Sequence, residues 1–412
     1  MMRVPLDLWR ISCADLIVRT AYQVGKTPLM PLFAASLGAG ELLVGAIVSV
    51  STITGMVLKP IFGWFSDRWG RRLWLLTGLV LFSGIPFLYS WVNTPEELFA
   101  LRLLHGLATA VFGPVTLAFV AEMATFGKAE RLGWFGMARS GSYLLAPLLG
   151  AWLLTWMDPA AVFTLIGFMS CLAFVPVCMM DFSPPLHKRN MKEEKQFGRA
   201  WKRAFGAVIS NSRLWLASAL EMLVYLVTYS IKAFLPIYAL YTADFSLLAV
   251  GLFFSAQEAA HLLMRPVGGR FGDQVGYLTV INTGYLFFVI GLSLLPYATL
   301  QVELLGIAII VGAGQGLIFP CTAAFVSRCV DTCHLGAGMG FLGAVRNVGK
   351  VAGPLTAGAL LTQLDYSQVF YLGSAVALLV VLTLFLWQKN YLGWIFPYTK
   401  LTNPPKDDAI FR

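Results

Sequence analysis

Charge is what this 412-residue chain has least of: Asp, Glu, Lys and Arg make up 12% of it, where a soluble domain carries roughly a quarter. With 58% apolar residues and a mean hydropathy of +0.73, that scarcity excludes a water-soluble globule. The six cysteines are scattered, and Cys13, Cys171, Cys178 and Cys321 fall in or beside apolar segments, which excludes a disulfide framework. Cys329, Asp331, Cys333 and His334 share one loop, but no second pair of ligands follows at metal-binding spacing. Ordinary loop chemistry is the better reading, and neither metal nor cofactor is expected. The chain lacks a Gly-x-x-x-x-Gly-Lys-Ser/Thr loop, which argues against ATP-driven pumping. It also lacks a Ser-His-Asp or metal-hydrolase constellation in its polar loops, so it does not read as an enzyme. The alternating pattern of a membrane barrel is missing as well.

What is present is a series of apolar runs long enough to cross a bilayer, such as Trp74 to Trp91, Val162 to Met180, Tyr277 to Leu295 and Val369 to Trp387. Continuous runs of this kind satisfy their backbone hydrogen bonds as helices. Twelve spans are expected, near 12–34, 42–64, 73–91, 98–120, 134–155, 160–180, 214–238, 247–265, 277–297, 303–326, 337–361 and 369–388. The first, which holds Asp15, Arg19 and Lys26, reads as a retained helix and not as a cleaved signal peptide. Connections on one side carry Arg68, Arg71, Arg72, Lys128, Arg131, the bases from Lys188 to Arg203, Arg270 and Arg328. Those on the other carry only acids: Glu41, Glu96, Glu97, Asp158, Asp244, Glu303 and Asp365. The positive-inside rule therefore predicts an inner-membrane protein with both termini in the cytoplasm, and the net charge of +9 needs no nucleic acid to explain it.

The chain repeats itself. Lys59, Pro60, Gly63, Phe65, Asp67 and Gly70 return 206 residues later as Arg265, Pro266, Gly269, Phe271, Asp273 and Gly276. The same shift maps Pro114, Thr116 and Ala118 onto Pro320, Thr322 and Ala324, and a shift of 207 maps Gly133, Gly136, Arg139 and Pro147 onto Gly340, Gly343, Arg346 and Pro354. The expected fold is an all-α polytopic membrane protein of twelve helices, built as two six-helix bundles related by a pseudo-two-fold axis. Its expected divisions are a bundle over 1–180, a polar linker over 181–213, a second bundle over 214–388 and a tail over 389–412. Parallel duplication of this kind is a transporter architecture, with the solute site near the midplane between the halves.

The segment GWFSDRWGRR, Gly63 to Arg72, resembles the signature of the major facilitator superfamily, Gly-x-x-x-Asp-Arg-x-Gly-Arg-Arg/Lys, and GRFGDQVG from Gly269 to Gly276 is a degenerate copy. The resemblance implies a conformational latch. Its glycines, Gly63, Gly70 and Gly269, are expected to permit close helix approach. Asp67 and Asp273 would accept hydrogen bonds or face a helix N-terminus, and Arg68, Arg71 and Arg72 would hold the cytoplasmic side shut. In the fourth span, LFALRLLHGLATA is similar to the superfamily's Leu-x-x-x-Arg-x-x-Gln-Gly-x-Gly-Ala-Ala pattern, whose arginine, here Arg102, is associated with proton coupling; His105 stands one turn away. In the fifth span, SGSYLLAPLLG partly resembles the family's antiporter motif, keeping Pro147 and Gly150 but replacing the expected glycines with Ser142, Ala146 and Ala151.

Asp15, Arg19, Tyr22 and Lys26 share one helical face, and Glu221, Tyr225, Thr228 and Lys232 repeat that spacing 206 residues on. Lysines at that depth face the bundle interior, because lipid-facing ones cost several kcal/mol. Arg19, Tyr22, Lys26, Tyr225 and Lys232 are therefore the candidate solute ligands, with bracing of the bundle as the competing role. Asp15, Arg102, His105, Glu221, Glu258 and His261 are the candidates for proton coupling; Glu258 and His261 are one turn apart and have no charged counterpart in the first half, where Thr52 and Gly55 stand. Arg139 and Arg346, at equivalent positions, read as packing or gating residues. Buried bases outnumber buried acids, so the cleft is expected to be electropositive and the solute anionic or zwitterionic. The expectation is a monomeric, proton-coupled secondary transporter of a small organic solute, with export favoured by the partial antiporter motif. Alternatives are a proton-coupled uptake symporter of an organic anion, and a membrane sensor or lipid-handling protein on the same fold.

Overall fold

The computed structural model describes residues 6–123, 128–180, 206, 209–330 and 334–391, and no strand occurs among them. The linker bases from Lys188 to Arg203, Asp331 and Cys333 of the loop cluster, and the tail past 391 lie outside the described residues. In the first half the helices are α1 (Leu6–Lys26), α2 (Leu29–Ser36), α3 (Glu41–Trp69), α4 (Arg71–Leu88), α5 (Pro95–Glu122), α6 (Lys128–Leu154), α7 (Pro159–Cys171) and α8 (Phe174–Cys178). In the second they are α9 (Ser212–Tyr241), α10 (Leu247–Val275), α11 (Tyr277–Leu294), α12 (Gln301–Cys329), α13 (Leu335–Leu361) and α14 (Tyr366–Tyr391). The pairs α1–α2 and α7–α8 each make one broken span, which gives the twelve. Nine of these, among the described residues, are long and apolar enough to cross a bilayer on composition alone. The other three are α1–α2, α6 and α13, which carry Asp15, Arg19 and Lys26, Arg131 and Arg139, and Arg346 and Lys350.

Two features depart from the sequence reading. The first span begins at Leu6, not near 12, and breaks before Leu29, where Pro28 cannot donate to the helical ladder. The eighth runs to Val275, ten residues past its apolar stretch, because a polar helical end can continue into water once its apolar part is buried. Three acids of the base-free side also have local work: they cap helices. Glu97 accepts from the Asn93 and Thr94 N–H groups, Glu303 from Thr299 and Leu300, and Asp158 from Ala161, satisfying donors that a helix start leaves open.

The bundles meet on the face away from the chain ends. A buried apolar cluster runs from Phe33, Val44 and Ile47 across to Phe234, Ile237 and Ala357. Ser49 Oγ donates to the Val351 carbonyl at 2.9 Å, and Ser255 Oγ to the Leu144 carbonyl at 2.8 Å. Close approach there depends on missing side chains: a Cβ on Gly45 would stand 2.2 Å from the Pro354 carbonyl oxygen, and one on Gly251 would stand 2.5 Å from Ala151 Cβ. Toward the chain ends the same four helices are unpartnered at Gly63, Gly136, Gly269 and Gly340, where a Cβ would meet nothing within 4 Å. The cleft is thus closed on one face and open on the face where α1 starts and α14 ends.

Within the second bundle, Gly349 and Gly353 let α13 touch α9, a Cβ on either standing 2.2 Å from a backbone carbonyl oxygen. The two classes of glycine separate experimentally. Gly353→Val is expected to lower thermal stability in detergent by about 1–3 kcal/mol through overpacking inside one bundle. Gly45→Val is expected to leave each bundle folded but to shift inter-bundle spin-label distances toward opening of the face now closed.

Candidate functional site

Each bundle buries one carboxylate on its first helix and pairs it with an arginine of the fifth span; a threonine of the fourth span bonds the arginine in the first bundle and the acid in the second. In the first half, Asp15, only 1% exposed, accepts from Arg19 Nε at 2.8 Å and from Arg139 Nε and Nη2 at 3.1 and 3.0 Å. Arg139 Nη2 also reaches Thr116 Oγ1 at 3.4 Å. In the second half, Glu221 accepts from Arg346 Nη1 at 3.2 Å and from Thr322 Oγ1 at 2.9 Å. The members of these triads are related by the repeat. Arg139 and Arg346, read from sequence as packing or gating groups, are the direct partners of the two acids.

Arg102 is 1% exposed and has no carboxylate partner among the described residues. Its Nη2 donates to Ser51 Oγ at 2.8 Å, Tyr22 OH donates to the same oxygen at 3.3 Å, and the guanidinium lies 5.8 Å from the Tyr22 ring centroid. His105, one turn on, bonds Tyr89 OH through Nδ1 at 3.0 Å and packs edge-on against Tyr22. Ser51 and Tyr89 are members of this group that sequence reasoning did not single out.

In the second bundle His261 links two charged groups on one face of α10. Arg265 Nε donates to His261 Nε2 at 3.1 Å, which leaves Nδ1 to carry the ring proton toward Glu258 Oε1 at 3.2 Å. Gln315 Nε2 donates to Thr228 Oγ1 at 2.8 Å, joining α12 to α9 across the repeat mate of Tyr22.

Between the bundles, Lys26 and Lys232 converge on the Tyr225–Tyr229 pair, which spacing alone only half revealed, while Arg19 lies on Asp15 and Tyr22 beside Ser51 and Arg102. Lys26 Nζ, from the first bundle, lies 5.1 Å from the Tyr229 ring centroid, and Lys232 Nζ lies 5.6 Å from it. Lys350 Nζ stands 4.7 Å from Tyr225 and 5.7 Å from Tyr229, and Arg346 stands 5.5 Å from Tyr225. Tyr225 in turn stacks on Phe319 at 4.9 Å. Tyr229 was missed because it has no place in the duplicated face; Lys350 counted among the buried bases that make the cleft electropositive but was not named a solute ligand, its repeat mate being the uncharged Tyr143.

The latch residues sit at the open face. Arg71 Nη2 reaches both Asp67 Oδ1 and Glu122 Oε1 at 2.5 Å, all within the first bundle, while Asp67 remains 61% exposed on its side chain. Arg68 lies over the Trp64 ring at 5.5 Å, and Arg72 follows at the start of α4. The expected close approach at Gly63 and Gly269 is absent in this conformation, since the opposing bundle is withdrawn. Gly70 has a different use: its φ of +91°, like the +97° of Gly276, makes the tight turn between two spans. In the copy, Tyr277 OH donates to Asp273 at 2.6 Å and Arg328 stands 4.0 Å away, so the second half has Tyr for Arg71 and Arg for Glu122.

Twelve spans in two related bundles, around a cleft closed at one end and lined with buried charge, define a membrane-embedded secondary transporter. The sequence profile of the Major Facilitator Superfamily matches residues 25–260 and 219–406, and the chain belongs to that family. It is 26% identical over 361 residues to the multi-drug resistance efflux pump PmrA of Streptococcus pneumoniae, covering 84% of this chain and 86% of that one. It is 23% identical over 376 residues to multidrug resistance protein 1 of Bacillus subtilis, covering 88% and 91%. Among solved structures, the nucleoside transporter NupG superposes with a TM-score of 0.76 at 13% identity, over 93% of this chain and 99% of that one. A bacterial homologue of the human lysosomal transporter Spinster, in an inward-facing and unoccupied conformation, gives 0.74 at 14% identity, over 94% and 97%.

The triads yield a stability prediction. Asp15→Asn leaves two arginines facing a neutral amide, whereas Glu221→Gln leaves one. Loss of one partner of a buried pair costs about 3–5 kcal/mol, less where the arginine reaches water. The first variant should therefore lose more stability than the second in chemical unfolding, and Asp15→Asn combined with Arg139→Gln should cost less than the sum of the single changes.

Proposed function

We propose that the protein exports a small organic anion or zwitterion in exchange for protons, by alternating access. The observation that carries this reading is the approach of Lys26 and Lys232, from different bundles, to the one ring of Tyr229. Neither ammonium has a carboxylate at ion-pair distance among the described residues, so an anion held between them would draw the bundles together. Arg19, Tyr22 and Tyr225 complete the solute site. The similarity to PmrA, a multi-drug resistance efflux pump, supports the outward direction.

Proton coupling rests on Glu258 and His261, whose hydrogen bond lies beside Lys232 and lacks a counterpart in the other bundle. Asp15 and Glu221, each held by arginine, serve this path by releasing or regaining those partners, and Arg102 with His105 serves it from the first bundle. The basic side of the membrane is taken as cytoplasmic, which puts both termini and the open face there, in a cell inner membrane. The protein works as a monomer of two bundles joined by the 181–213 linker and ending in a 389–412 tail. On this reading the exposed Asp67 and the bare glycine faces are one half of a latch that engages when the open face closes.

Proteoliposomes loaded with a panel of organic anions, zwitterions and cations, with and without an imposed pH gradient, test the whole reading. Gradient-driven efflux of anions is expected. A gradient-driven accumulation of the same anions would favour the uptake alternative, and no flux of any solute would favour a sensor. Lys26→Gln and Lys232→Gln should each weaken binding of a transported anion by about 1–3 kcal/mol, the range for a lost charge-assisted hydrogen bond. Asp67→Asn should slow turnover while leaving that affinity nearly unchanged; normal turnover would remove the latch from the mechanism.

A further inference from the structure

Accepting that the cleft binds anions, we infer that its site is built for solutes carrying two or three negative charges, and that Lys350 is the residue that sets this valence. Three ammonium groups from α1, α9 and α13 stand within 6 Å of the Tyr229 ring centroid, at 5.1, 5.6 and 5.7 Å. No two of them can therefore be more than about 11 Å apart, the span of a small organic molecule with acidic groups at both ends.

The nearby carboxylates are committed elsewhere. Asp15 is bound by Arg19 and Arg139, Glu221 by Arg346 and Thr322, and Glu258 by His261. Among the described residues none of them makes an ion pair with Lys26, Lys232 or Lys350. Lys350 is also the lysine placed to serve both rings, 4.7 Å from Tyr225 and 5.7 Å from Tyr229. A monoanion bridging two ammonium groups leaves the third uncompensated in a site of low dielectric, and a zwitterion adds a fourth cation to the cluster. A dicarboxylate, tricarboxylate or phosphate ester matches all three. The solute class is thus narrower than small anions and zwitterions at large: small organic molecules with two or more carboxylate or phosphate groups.

A valence series on one ring tests this. The full-length protein in lipid nanodiscs is titrated by calorimetry, at fixed ionic strength and neutral pH, with benzoate, isophthalate, trimesate and benzyltrimethylammonium. Affinity should rise at least tenfold from benzoate to isophthalate, and trimesate should bind no more weakly than isophthalate. Lys350→Gln should erase that step, and Lys350→Arg, which keeps the charge, should retain it. Equal affinity for benzoate and isophthalate in the unmodified protein overturns the valence inference while leaving the anionic reading intact. An undiminished step in a folded Lys350→Gln variant overturns the role of Lys350. If none of the three carboxylates binds, whether or not the quaternary ammonium does, the anionic reading and the valence inference fall together.

Discussion

An arginine inside a bilayer is costly unless it meets a charged or polar partner or reaches water, and this chain holds several at membrane depth. The pairing of Asp15 with Arg139, and of Glu221 with Arg346, answers that demand once in each bundle and has consequences well beyond it. Each pair ties the first helix of its bundle to the fifth span, with Thr116 or Thr322 bringing in the fourth. That fixes the rotation of α1 and α9 about their axes. Eleven residues further along each helix, about three turns on, stand Lys26 and Lys232, on nearly the same face as the acids. The ion pairs therefore aim both lysines into the cleft, and the cation cluster depends on them.

Where the halves agree, they build the frame; where they differ, they carry the chemistry. The agreeing positions are the triads, the glycine turns at Gly70 and Gly276 and the prolines of the flanking helices. The differing ones are Arg102, which faces Ala308 across the repeat, Lys350 against Tyr143, and the Glu258–His261–Arg265 row against Thr52, Gly55 and Lys59. A duplicated fold can supply two equal walls, but a solute needs a site with a direction and a proton needs one path. Asymmetry of this kind extends to the open face, where Glu122 and Arg71 of one half correspond to Arg328 and Tyr277 of the other.

Much of this was legible in the sequence because duplication and hydropathy act over long stretches. The twelve spans and the equivalence of the α1 and α9 faces follow from apolar runs and from a constant shift. The partners of Asp15 and Glu221 were available by the same shift, since acid, arginine and threonine all repeat, but a shift says which residues are equivalent and not which ones touch. Tyr229 was out of reach because only the meeting of the two bundles sets it beside Lys26. Lys350 was legible as a buried base, but its place beside Tyr229 comes from α13 meeting α9 through Gly349 and Gly353, a tertiary contact between residues more than a hundred apart. The role expected of Gly63 and Gly269 failed in this conformation because a close approach belongs to a state, and a sequence does not say which state a structure has adopted.

The two faces of the cleft are held by different forces, and this bears on what can move. The closed face is apolar, with backbone against backbone at Gly45, Gly251 and Gly358, so it is indifferent to charge in the cleft. The open face carries Asp67, Glu122, Asp273 and Arg328 in water, and closing it brings Lys26 of one bundle toward Lys232 and Lys350 of the other. Two like charges about 10 Å apart repel by roughly 1–2 kcal/mol at an effective dielectric near 20. Summed over the lysines, that repulsion is of the size that separates conformers populated at the per cent level from dominant ones. An anion in the cluster reverses its sign. On the reading proposed here, the empty cleft resists closing on the charged face and the loaded cleft favours it, so the solute itself supplies the free energy that moves the bundles.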